Sequence, residues 1–167
     1  MHTLHRLKGM NGMARSTVEL IAALRNTAQH LATGAHYEWG HMGRCNCGHL
    51  LQTVTTMSSR EIVEATDFAM DEWSEHAKDY CAGTGQKVDT LFLTLQQIGF
   101  DYQDVIHLEN LTDQRVLSRL GRYLRRNCVT DVTLYLATLA DILEEELTGS
   151  VLPASTLFQV QPTAVVA

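Results

Sequence analysis

The sequence predicts an all-α protein: a single-domain helical bundle of about five to seven helices, with a glycine-rich metal-binding turn and an extended C-terminal tail. Three observations predict it. The chain has 167 residues, 45% of them hydrophobic, enough for one core of useful size. Both prolines, Pro153 and Pro162, fall in the last fifteen residues, so no pyrrolidine ring forces a helix to stop before them. Apolar residues recur at spacings of three and four along most of the chain, the period of a one-sided helix.

Ser16 and Glu19 form a capping-box pattern ahead of Leu20, Ile21, Leu24, Ala28 and Leu31, which predicts a first helix ending near Gly34. Gly40, Gly43 and Gly48 interrupt the next stretch and predict a tight turn, after which Leu50, Leu51, Val54 and Met57 resume a helical pattern. Ser58 and Glu61 repeat the capping signal. Ile62, Ala69, Trp73, His76 and Tyr80 then share one face of a long helix that Gly83 and Gly85 end. Val88, Leu91, Phe92, Leu95 and Ile98 predict a short helix closed by Gly99, and Val105, Ile106 and Leu108 predict one further turn or two. A helix from about Asp113 to Asn127 turns Val116, Leu117, Leu120 and Leu124 inward. The last runs from about Thr130 to Leu147 with Val132, Tyr135, Leu136, Leu139 and Leu143 inward, and Gly149 closes the body.

Three regions follow: a flexible N-terminal segment over 1–14, a helical metal-binding domain over 15–149, and the tail over 150–167. The tail has no charge and no helical period, and Val151, Leu152, Leu157, Phe158 and Val160 are costly to leave in water. It reads either as a disordered end or as a strand-like arm packing on its own body or on a second copy, the route to a homo-oligomer.

With 13 basic against 19 acidic residues the formal charge is −6, the wrong sign for coating a polyanion, so bulk nucleic-acid binding is not expected. No stretch reaches the roughly eighteen uninterrupted apolar residues of a membrane helix. Residues 1–13 carry basic side chains without the apolar run of a signal peptide, and the expected compartment is the cytoplasm. There the four cysteines, Cys45, Cys47, Cys81 and Cys128, stay reduced and available as ligands or nucleophiles.

The run from His36 to His49 reads H-Y-E-W-G-H-M-G-R-C-N-C-G-H, and gathers three of eight histidines, two of four cysteines and three of eleven glycines. Thiolates are soft metal ligands, and neighbouring glycines let backbone N–H groups approach an anionic sulfur. Cys45-x-Cys47 supplies at most two ligands. Cys81, after the face that carries His76, is the best distant third; His41 and His49 are the local candidates and Cys128 the fourth cysteine. Positions 117, 120, 124 and 128 continue an apolar stripe, which favours a core role for Cys128, and His76 beside Trp73 and Tyr80 reads equally as a hydrogen-bonded core histidine.

A structural zinc site usually shows two C-x₂₋₄-C knuckles or their Cys/His equivalents, and only one C-x-C is present here. Iron–sulfur clusters accept less regular spacing, so the expected cofactor is an iron–sulfur cluster on Cys45, Cys47 and Cys81, used in electron transfer or sensing, with a zinc-stabilised interaction module as the alternative. Trp39 and Trp73 would shield such a centre or simply anchor the core. A third metal reading pairs Glu38-x-x-His41 with Glu72, Glu75, His76 and Asp79 as a di-iron bundle, although only one such pair exists and the acids also read as a solvated face. The class-distinct rival is an enzyme with Cys45 or Cys81 as nucleophile, activated by His41, His49 or His76 with Arg44 nearby. Neither a G-x-S-x-G elbow nor a phosphate loop accompanies it.

Arg115, Arg119, Arg122 and Arg126 fall at helical spacing on one face. That face is either paired with acids such as Glu144, Glu145 and Glu146 or a docking surface for an acidic redox partner or a nucleic acid.

Overall fold

Among the described residues, two helices far apart in sequence form the most extensive contact. The computed structural model describes residues 13–65 and 90–151. Among them are seven helices and no strand: α1 Val18–Ala32, α2 Asn46–Thr55, α3 Ser59–Ala65, α4 Thr90–Gln97, α5 Tyr102–Asn110, α6 Gln114–Leu120 and α7 Val129–Val151. The described residues are therefore mostly helical, as their apolar period requires.

α1 buries Leu20, Ile21, Leu24, Ala28 and Leu31 against α7, which turns in Val132, Tyr135, Leu136, Leu139 and Leu143. These are the two apolar faces that the sequence predicts. Arg25 reaches across the rim of this contact to Asp141 at 2.9 Å and Glu144 at 2.7 Å. Such exposed pairs set register more than they add stability. α2 touches α1, α3, α4 and α5, which makes it the hub of the described structure. No described helix is long and apolar enough to cross a membrane.

Several boundaries differ from the sequence expectation, each for a local reason. Thr17, not Ser16, caps α1: its hydroxyl accepts from Leu20 N at 3.1 Å, while Ser16 donates to Glu146 on α7 at 2.7 Å. α5 is a full nine-residue helix because Asp101 and Asp104 make a reciprocal capping box, a pair that a search for serine or threonine followed by glutamate passes over. α6 stops at Leu120 rather than Asn127, since Gly121 takes a left-handed conformation at φ 64°. Gly149 does not end the last helix, which continues to Val151. The predicted long helix is described only as far as Ala65. Its continuation through Trp73, His76 and Tyr80, the N-terminal segment over 1–12 and the tail beyond Val151 lie outside the described residues.

The shortened α6 also dismantles the predicted arginine stripe. Only Arg115 and Arg119 are on the helix, and Arg122 and Arg126 lie in the loop after it. Arg115 pairs with Asp113 at 2.8 Å and with Glu146, Arg119 with Glu145 at 2.6 Å, and Arg122 with Asp131 at 2.8 Å. Asp131 is buried and also accepts from Arg125 N, so Arg122 and that N–H hold its carboxyl down to about 2. Arg126 stacks over Trp39 at 4.2 Å and donates to Asn110 Oδ1 at 2.9 Å.

Two glycines let α2 bury its start. A Cβ on Gly48 would stand 2.4 Å from the Met42 carbonyl oxygen, and one on Gly43 would stand 2.2 Å from that of Ser59. Both obstacles are backbone and do not swing aside. Gly48→Ala is expected to cost about 3 kcal/mol by overpacking, whereas Gly149→Ala, with open space around it, should gain about 0.5–1 kcal/mol as helix propensity; paired urea titrations of the two variants check this.

Burial pushes the Asp104 carboxyl up from 3.8 to about 7, with Asp101's charge adding to the effect against the Asp101 N–H it accepts. A carboxyl raised on folding holds its proton more tightly in the native state. Its contribution is full below its unfolded value and is lost as pH rises through 3.8 towards about 7. Asp104→Asn, which mimics the protonated acid, should therefore gain stability relative to wild type as pH rises across that window and level off above it. Denaturation midpoints that stay parallel across the window would contradict this.

Candidate metal centre

The segment before α2 is drawn into successive turns by Glu38 N to Arg44 O at 3.2 Å, His41 N to Glu38 O at 3.2 Å and Arg44 N to His41 O at 2.8 Å. They deliver Cys45 to the N-cap of α2, with Asn46 and Cys47 as its first two helical residues. The cysteines thus sit at a helix start and not in the glycine-rich turn the sequence suggests. Gly48 breaks nothing; it lies inside the helix, where its missing side chain admits the Met42 carbonyl.

This helix start is buried. Cys45 is 2% exposed and Cys47 is 0% exposed, and the Cys45 side chain makes no capping hydrogen bond. Glu109, from the last turn of α5, fills the role: its Oε1 accepts from Cys47 N at 2.5 Å and from Cys45 Sγ at 3.3 Å. The Met42 carbonyl, 3.7 Å from the same sulfur, is the alternative acceptor for the thiol proton. Asn46 ties the helices from the other side, donating Nδ2 to the carbonyls of Leu108 at 2.9 Å and Glu109 at 3.3 Å. The Tyr37 hydroxyl lies 2.7 Å from Asn46 Oδ1 and against the Arg126 carbonyl, one proton between two acceptors.

No protein family, curated protein or solved structure matches this chain. The reading of the site rests on its own geometry.

Spacing along the sequence does not point to Glu109, Asn46 or Tyr37. Glu109 was legible in principle, because Val105, Leu108 and Glu109 stand at i, i+3 and i+4 and so place a carboxylate on the inward stripe of α5.

Burial is the main cause that pushes both thiols well above their ordinary range, and the Glu109 charge pushes them further; Cys45 also feels Cys47. This is the opposite of an activated nucleophile, which needs a lowered pKa and access to solvent. Arg44, the expected activator, is engaged by Glu38 at 3.1 Å.

The other predicted donors are dispersed. His41 is half-buried and its Nδ1 accepts from Gly43 N at 3.2 Å, within its own loop. His49 is buried on α2, with Nε2 at 3.0 Å from the His36 carbonyl and its ring beside Tyr37 and His30. With Nε2 donating, Nδ1 is a buried lone pair that finds no partner among the described residues, and burial lowers the His49 pKa. Cys128 is half-buried in the loop ahead of α7, its sulfur 3.5 Å from Arg125 Nη2, so it does not extend an apolar helix stripe. Glu38 and His41 lie in turns rather than on a helix, which removes the i, i+3 geometry of the di-iron reading. Cys81, His76, Glu72, Glu75, Asp79 and Trp73 lie outside the described residues. Among the described residues no three His, Cys, Asp or Glu side chains are arranged to hold a metal ion.

The contrast in burial predicts alkylation order. In the folded protein at neutral pH, iodoacetamide should modify Cys128 well before Cys45 and Cys47, which should react only as the chain opens. Peptide mass spectrometry over time reads this, and a Cys45 that reacts first would contradict it.

Proposed function

We propose that the chain carries a thiolate-ligated metal centre at the start of α2, with Cys45 and Cys47 as ligands completed by Cys81 from the segment over 66–89. The observation that supports it is the crowding of two thiols and a carboxylate around one buried helix N-terminus. Buried acids of this kind either keep their protons or share a cation, and the N–H groups of a helix start favour the anionic forms a cation would create. Two thiols from one short segment and a third from a distant one match the irregular ligand spacing of iron–sulfur proteins, so the leading reading is an iron–sulfur cluster in electron transfer or sensing. Zinc is the second reading, and one observation favours it: the nearest non-sulfur donor atom is a carboxylate oxygen, which zinc accepts beside sulfur.

An acidic redox partner would approach from the loop over 121–128. Arg126 there covers Trp39 and has no carboxylate partner among the described residues, while Arg115, Arg119 and Arg122 are engaged by acids of their own chain.

Anaerobic purification with elemental analysis for iron, zinc and acid-labile sulfide tests the proposal. Brown protein with comparable iron and sulfide is expected, lost in Cys45→Ser, Cys47→Ser and Cys81→Ser but retained in Cys128→Ser. Colourless protein with one zinc, lost in the same variants, would leave the thiolate centre and replace its occupant. Protein without metal from iron-supplied cells would overturn the proposal.

A further inference from the structure

We infer that the loop over 121–128 is a docking surface for an acidic polypeptide segment, with the Tyr123 ring as its apolar anchor and Arg125 and Arg126 as receptors for carboxylates. The inference rests on the partner reading above, names the surface for it, and does not depend on the metal centre.

The rigidity of the loop is the first part of the argument. Leu124 packs against the core, and the buried Asp131 carboxyl accepts from Arg122 Nη2 at 2.8 Å and from Arg125 N at 2.9 Å. Arg126 is fixed over Trp39 and to Asn110 Oδ1. Between these anchors Tyr123 is 88% exposed. A backbone already held in place leaves only the ring itself to be ordered when a partner covers it, so the apolar area is gained at little entropic cost. Tyrosine and arginine are also the side chains that dominate binding at protein interfaces.

The charge of the loop is the second part. Three guanidiniums, those of Arg122, Arg125 and Arg126, share one carboxylate, Asp131, which leaves an excess of two positive charges among the described residues. Arg125 is the least engaged: its side chain is 77% exposed and its Nε reaches Asp131 only at 3.5 Å. The excess is local, because the chain as a whole carries −6 and α7 exposes Asp141, Glu144 and Glu145. A nucleic-acid strand, charged along its whole length, gains at the loop and is repelled by the acidic remainder of the chain. A short acidic segment with an apolar residue to cover Tyr123 matches a patch of this extent.

The test is fluorescence anisotropy on the full chain with three labelled probes: a peptide alternating glutamate and leucine, its counterpart alternating glutamine and leucine, and an oligouridylate. The glutamate peptide is expected to bind more tightly than either other probe, and less tightly as salt rises to physiological strength. Tyr123→Ala and Arg125→Ala should each weaken it by about tenfold, while Arg60→Ala, which removes a similarly exposed arginine from α3, leaves it unchanged. Circular dichroism confirms that each variant is folded. Binding that ignores the two loop substitutions, or that the glutamine peptide matches, would overturn the inference. Tighter binding of the oligouridylate, lost in the same variants, would overturn it in favour of a nucleic-acid surface. These readings do not depend on metal content, so their failure removes the docking surface and leaves the elemental analysis to decide the centre.

Discussion

The buried N-terminus of α2 is the constraint on which the rest depends. A helix start leaves its first N–H groups without intrahelical acceptors, and at a surface water takes them up. Here Cys45 and Cys47 are out of solvent and the capping position offers sulfur in place of a hydroxyl or carboxylate. The acceptor comes from another helix, in the Glu109 side chain, and Asn46 returns two bonds to the end of that same helix. α2 and α5 are thereby locked end to end by polar bonds inside an apolar core. Because α2 also packs on α1, α3 and α4, that lock fixes the centre of the described structure. Gly43 and Gly48 belong to the same constraint, since only backbone without Cβ fits between Met42, Ser59 and the helix start.

The same carboxylate decides what the thiols can do. A cysteine at a helix N-terminus is ordinarily acidified by the oriented N–H groups, which is how many reactive cysteines are made. Burial and the Glu109 charge outweigh that effect here, and both thiols hold their protons. Such a cluster is poorly suited to attack an electrophile arriving from solvent. The burial and the carboxylate leave two neutral thiols at a helix start whose N–H at Cys47 is taken by the Glu109 oxygen in place of a thiolate.

The helices themselves were legible wherever one face is buried and the other wet, because the period of three and four is then written in the residue types. α1 and α7 show this, and the inward residues of both stand where that period predicts. What was not legible turned on backbone conformation and on partners far away in sequence. Gly121 ends α6 by adopting a left-handed turn, whereas Gly48 and Gly149 sit inside helices; residue type alone does not tell these glycines apart. The arginines were placed on a single stripe because no local signal marks Asp131, nine residues after Arg122, as the buried acid that gathers their loop. At the candidate site, spacing and surroundings single out Cys45 and Cys47 and suggest a turn, whereas the two stand at a helix start. Clusters along the chain do not point to Glu109, because this capping carboxylate comes from 62 residues beyond Cys47. His41 and His49 are near the cysteines in sequence, and both turn their rings to other partners.

The network around Asn46 also links the helix start to a distant loop. Its amide oxygen takes the Tyr37 hydroxyl while its amide nitrogen serves α5, so one side chain spans the turns before α2 and the helix beyond it. Tyr37 meets the Arg126 carbonyl, and the Arg126 guanidinium covers Trp39, two residues from Tyr37. A displacement of the α2 start by even a fraction of an ångström must therefore be absorbed by Tyr37 or passed to the loop over 121–128. That loop has little freedom to absorb it, because Asp131 binds the Arg122 side chain and the Arg125 N–H at its base. The turns that deliver the cysteines, the helix that supplies the carboxylate and the loop that covers Trp39 are thus tied to one another through Asn46, Tyr37 and Arg126.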